Sequence, residues 1–149
     1  MRNFYRNTRL SLVSVVLAGC AQQSKLPFVP TDVLELMQNV VAHAAERYWY
    51  SITVLVDEDG MARRHPDTDE EWEDVRAAAV SISESGNLLM MDPRAVNDGR
   101  WMQLASDLVI VGAVAATAAQ TRDPESVLAA GEQVYYVCLA CHESYIVDP

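Results

Sequence analysis

Cys138-Leu139-Ala140-Cys141-His142 is the run in this 149-residue chain whose residue types and spacing define a specific chemistry. Two thiols at i and i+3 and an imidazole at i+4 share one face of a helix. In that geometry both sulfurs can add across the vinyl groups of one porphyrin, and the following histidine is held beneath the iron. The motif therefore predicts one covalently attached haem c, with Cys138 and Cys141 as anchors and His142 as proximal iron ligand. Three other chemistries compete for these residues. A Cys138–Cys141 disulfide suits an oxidising compartment but gives His142 no task. A zinc site needs a fourth ligand, for which His43 and His65 are the remaining histidines. A redox dithiol of thioredoxin type needs a βαβ context, and the pattern of this chain is helical instead.

The elements that must position the motif are legible from caps and periods. Thr31 or Asp32 can cap a first helix with Leu34, Met37, Val41, Ala44, Tyr48, Ile52 and Leu55 on one face, reaching Asp57-Glu58-Asp59-Gly60. Residues 61–67 read as a polar loop. Thr68 and Glu71 form a capping-box pattern ahead of a second helix with Trp72, Val75, Ala79, Ile82 and Leu89 on one face, ending before Pro93. A third helix starts near Asn97 to Trp101 and runs through Leu104, Leu108, Val111, Ala115 and Ala118 to about Arg122. Asp123-Pro124-Glu125 is a cap, a first-turn proline and a first-turn acid, opening a last helix that reaches about Tyr145. Four helices of similar length with short links predict an all-α, antiparallel up-down-up-down four-helix bundle with the haem at one end. Gly112 and Gly131, inside helical segments, read as points of close helix packing.

In that topology the start of the first helix, the end of the second, the start of the third and the end of the fourth lie together. Met37, in the second turn of its helix and about 8 Å from its start, is then ranked first as distal ligand across the porphyrin from His142. His43 is the chemical rival as a better-known ligand type, but it lies about 9 Å further along the same helix. The alternative for Met37 is a core methionine, which leaves the distal face open. Leu88, Met91 and Trp101 are expected in the haem pocket, with Asn87 and Met90 nearby; Met90 and Met91 are alternative iron ligands on this geometry, or they pack against the porphyrin. Tyr48, Trp49 and Trp72 read as core lower down, and His65 as a solvated loop residue.

The chain as a whole resembles the class II c-type cytochromes, the cytochrome c-prime group, in having four helices and a CxxCH close to the end of the last. The likeness spans about residues 31 to 146 and rests on Gly131 to Tyr145, Cys138 to His142 above all. A basic residue that often follows the motif in that group is replaced here by Glu143. The resemblance implies a monohaem protein that is not an enzyme. With Met37 bound, the iron carries single electrons between redox partner proteins. With an open distal face, it binds a diatomic gas such as nitric oxide or carbon monoxide. A structural lipoprotein with a CxxC disulfide is the third reading.

The N-terminal residues read as an address. Arg2, Arg6 and Arg9 precede an apolar stretch that ends in Leu17-Ala18-Gly19-Cys20, which has the order of a signal peptide and resembles a bacterial lipobox. Residues 1–19 are then a lipoprotein signal peptide, Cys20 the lipidation site, 20–30 a tether and 31–149 the cytochrome domain. The expected place is the periplasmic side of a bacterial membrane. The formal charge of -10, with 21 acids against 11 bases, argues against nucleic-acid binding. The acidic runs 57–59 and 67–74 suit steering toward a partner with a basic docking face. A homodimer, or a place in a larger complex, stays compatible with these features.

Overall fold

A computed structural model describes residues 30–146 apart from Asp59. The signal peptide, Cys20 and all of the tether except Pro30 lie outside the described residues. Among these residues the fold is mostly helical, with four long helical segments and one small two-stranded sheet.

Helix α1 is made of α-helical turns at Val33–Leu36 and Ala42–Trp49 joined by π-helical turns over Met37–Val41. Asp32 caps it, its side chain accepting from the Glu35 amide at 2.8 Å. The helix ends at Trp49, short of the expected Asp57, and a hairpin follows. Strand β1 (Thr53–Asp57) pairs antiparallel with β2 (Gly60–Arg64), Thr53 opposite Arg64 and Asp57 opposite Gly60. Both the all-helical expectation and the polar loop at 61–67 are corrected here. The cause is local chemistry: Thr53, Val54 and Val56 are β-branched and favour the extended backbone. Gly60, at a φ of 132°, takes a conformation closed to other residues. Leu55, expected on a buried helical face, is 58 % exposed in the hairpin, whereas Ile52 is buried just beyond the helix.

Helix α2 (Asp69–Leu89) opens with the complete capping box. The Thr68 hydroxyl accepts from the Glu71 amide at 3.2 Å and the Glu71 carboxylate accepts from the Thr68 amide at 3.1 Å. Helix α3 (Arg100–Thr121) ends at Arg122, whose φ of 56° turns the chain out of the helix. Helix α4 (Pro124–Tyr145) follows at once, capped by Asp123, which accepts from the Ser126 amide at 3.1 Å. By length and composition α3 is apolar enough to cross a membrane, but in this fold Leu104, Ala105, Leu108 and Ala115 are turned into the core.

The tightest packing joins α2 to α3. A Cβ on Gly112 would stand 2.5 Å from the Ser83 backbone nitrogen, and one on Gly86 would stand 2.5 Å from the Ala105 carbonyl oxygen. These two glycines let backbone meet backbone, and the Ser83 hydroxyl donates to the Val109 carbonyl at 2.9 Å within the contact. Helix α1 is fastened differently, by two large side chains. The buried Tyr48 hydroxyl reaches the carbonyls of Ala115 at 3.3 Å and Val127 at 3.2 Å, and the Trp49 indole donates to the Gly131 carbonyl at 3.0 Å. Gly131 is needed there because a Cβ would press on both rings, at 3.2 Å from Trp49 and 3.3 Å from Tyr48. Gly112→Ala is expected to destabilise the protein by about 1–3 kcal/mol through forced separation of α2 and α3. Urea titration checks this, and an unchanged midpoint contradicts the packing described.

Candidate functional site

Four helices contribute to one apolar cleft. From α1 come Met37, Val41, Ala45 and Trp49, spaced by four residues so that they form a single stripe. Leu89 comes from the end of α2, and Trp101, Leu104, Ala105 and Leu108 from the first half of α3. Val137, Cys138, Cys141 and His142 of α4 form the facing wall. The cleft encloses about 210 Å³. Besides the thiols, the thioether and the imidazole, Glu46 is the polar side chain along it. The π-helical turns begin at Met37 and end at Val41, two residues of the cleft wall, and such irregular turns are frequent at functional sites.

A hydrogen-bonded collar holds the mouth. The Trp101 indole donates to the Leu89 carbonyl at 2.8 Å, and its ring meets the edge of Tyr145 with centroids 5.0 Å apart. Asn97 donates to the Tyr145 hydroxyl at 3.0 Å while its side-chain oxygen accepts from the Trp101 amide at 3.2 Å. Arg94, 5 % exposed, donates to the carbonyls of Thr31 at 3.0 Å and Leu88 at 2.8 Å. The connection between α2 and α3 is thereby tied to the start of α1 and the end of α4, so the residues around the mouth are fixed relative to one another.

The two cysteines are free thiols, both half-buried. Burial pushes the Cys138 thiol up to about 11, with the neighbouring Cys141 adding to the shift. Burial also raises Cys141, partly offset by the positive charge of Arg100. Neutral thiols of this kind are poor nucleophiles at neutral pH, which does not suit a thioredoxin-type redox pair. His142 stands exposed at the mouth. His43 is exposed and off the cleft, and His65 lies in the segment before α2 with Nδ1 3.0 Å from the Pro66 carbonyl oxygen. Neither lines the cleft beside the CxxCH thiols, where a tetrahedral zinc set would need a fourth ligand.

Of the residues singled out in the sequence, Met37, Trp101, Cys138, Cys141 and His142 meet at this cleft. Leu88 and Met91 are not on its wall. The inward stripe of α2 runs through Ile82, Gly86 and Leu89, which turns Leu88 aside to pack partly buried against the core. Met91 lies past the cap of α2 and is 42 % exposed, and Met90 packs against the core. Trp49 is a wall residue rather than core alone, and the four-residue series from Met37 was the available signal for it. Leu89 was marked by its helical register.

The acidic run 67–74 sits elsewhere. Helix α2 begins among Asp67 to Asp74 and reaches the cleft only at Leu89, about 30 Å away along its axis. Several of those acids are already in ion pairs, Asp74 with Arg47 at 3.1 Å, Asp69 with Arg122 at 2.6 Å, and Glu73 with Arg76. Compared with known proteins, the chain matches no family model, no curated sequence and no solved structure.

The donor set fits a covalently held haem. Two thiols and an imidazole follow one another on one wall, a thioether stands on α1, and the surfaces between are aliphatic and aromatic. In protein prepared without cofactor, Cys138 is expected to react with iodoacetamide more slowly than Cys141 at pH 8, its rate rising until about pH 11. A raised thiol pKa favours the fold below the pKa of the unfolded thiol, near 8.5, and that contribution fades as pH climbs from there toward 11. The stability of the cofactor-free protein should therefore decline over the same window. Equal reaction rates for both thiols contradict the burial described.

Proposed function

We propose that the protein is a monohaem c-type cytochrome of class II type, an antiparallel up-down-up-down four-helix bundle that carries single electrons. It is further proposed to be lipidated at Cys20 and held on the periplasmic side of a bacterial membrane. The observation that carries the reading is the convergence of Cys138, Cys141, His142 and Met37 on one apolar cleft. When bound, the haem supplies one-electron redox chemistry at its iron.

The chain's own residues have distinct tasks in this reading. Cys138 and Cys141 would hold the porphyrin as thioethers, and their partial burial would shield the anchored edge from water. His142 would offer an imidazole nitrogen, and Met37 its sulfur from the first helix, as ligands to the metal. His/Met ligation raises the potential, and the apolar walls of Val41, Leu89, Leu104 and Leu108 limit water access, which also tunes it. Trp101, fixed by its bonds to Leu89 and Asn97, closes the side of the pocket next to Tyr145. The acidic surface around the start of α2 acts at a distance in this picture, through the field of the whole molecule on a basic redox partner.

The optical spectrum of the reduced protein with and without carbon monoxide tests the proposal. A low-spin spectrum unmoved by the gas is expected for the wild type, and Met37→Ala should become high-spin and gas-reactive. A wild type that binds carbon monoxide replaces electron transfer with the gas-binding alternative. Correctly matured protein without a Soret band overturns both and leaves the CxxC disulfide.

A further inference from the structure

A second groove, of about 410 Å³, lies where the end of α1 meets α4. Trp49 is the one residue it shares with the cleft, and α4 contributes Gly131, Glu132, Tyr135 and Tyr136. Tyr135 is 50 % exposed and Tyr136 53 %, so two large rings line open space instead of filling the core. The rings are steeply inclined to one another. Trp49 and Tyr135 meet at 67° with centroids 6.4 Å apart, and Tyr135 and Tyr136 at 63° with centroids 5.8 Å apart.

We infer that this groove binds a quaternary ammonium group, of the kind choline carries. Three observations select that ligand. The negative faces of aromatic rings attract a cation within about 6 Å of their centroids, and two faces at right angles can share one when those centroids lie within about 8 Å of each other. Both ring pairs meet that condition. Glu132 adds a full negative charge: its carboxylate accepts from the Tyr136 hydroxyl at 3.0 Å and, among the described residues, pairs with no cation. The carbonyls of the groove then choose among cations, because the Gly131 oxygen is occupied by the Trp49 indole and the Val127 oxygen by the Tyr48 hydroxyl. A primary ammonium brings three N–H donors and would leave some without acceptors. A quaternary ammonium has none to satisfy, and its methyl groups suit the rings and the apolar Ile52 and Leu128 beside them. Neither the haem anchors nor the iron ligands proposed above line this groove, so the inference stands apart from the cytochrome reading.

Calorimetric titration with choline chloride, against sodium chloride at matched ionic strength, tests the inference on the protein with or without cofactor. Saturable binding is expected, roughly tenfold tighter than that of the uncharged isostere in which a tert-butyl group replaces trimethylammonium. Tyr136→Leu and Glu132→Gln should each weaken it severalfold with helical content unchanged, whereas Tyr136→Phe, which keeps the ring face, should retain it. Equal binding of choline and its isostere overturns the inference. So does the absence of saturable heat at high millimolar choline, or binding indifferent to both Tyr136→Leu and Glu132→Gln. Phosphatidylcholine vesicles separate two sources of the same group: vesicle binding that choline competes away assigns a lipid headgroup, and choline binding without vesicle binding assigns a free solute. Both results support the site.

Discussion

The structure depends on an asymmetry in how its helices are held together. Helices α2 and α3 touch backbone to backbone because Gly86 and Gly112 carry no Cβ where Ala105 and Ser83 press in. Helix α1 is instead held off by Tyr48 and Trp49, whose rings fill the space that glycines leave elsewhere and whose polar ends bond to the carbonyls of Ala115, Val127 and Gly131. A close pair on one side and a propped helix on the other open a gap above the prop. That gap is the cleft. Burial of the Tyr48 phenol raises its pKa further above the ordinary tyrosine range.

The chemistry follows from where the gap falls. Trp49 forms its lower boundary and Trp101 with Tyr145 its upper one, so the stretch from Cys138 to His142 faces Met37, Val41 and Ala45 across an apolar space. Few polar groups line it, which makes it a poor place for a solvated metal ion and a good one for a flat apolar macrocycle tied down by two sulfurs. The π-helical turns at Met37–Val41 belong to the same logic: they reset the phase of α1 so that Met37 and Val41 join Ala45 and Trp49 in one stripe.

Much of the helical layout was legible because its signals are short-range. Thr68 with Glu71, and Asp123 before Pro124, are capping devices that act within one turn, and both helices start where those residues say. The hairpin was missed because Thr53 to Val56 continues the apolar spacing of α1 by chance, and β-branching rather than periodicity decides its conformation. Gly112 signals close packing in the sequence, yet that α2 approaches it, and that Gly86 does the same for α3, are tertiary facts. At the cleft, CxxCH and Met37 could be named from type and spacing, whereas Leu88 was expected there because it closes α2 at the shared end of the bundle, although its side chain points about 100° away from that of Leu89, which lines the cleft. Trp49 was taken for core alone because a residue that props two helices apart looks, in sequence, like one that fills the space between them.

The mass of the tryptic peptide after Arg122, which carries Cys138, Cys141 and His142 together, tests the proposed sulfur–porphyrin bonds at α4 most directly. From protein matured with cofactor, this peptide should carry the added mass of one haem, with neither thiol open to alkylation. A peptide at its unmodified mass with two reactive thiols, or one lighter by two hydrogens, contradicts the account.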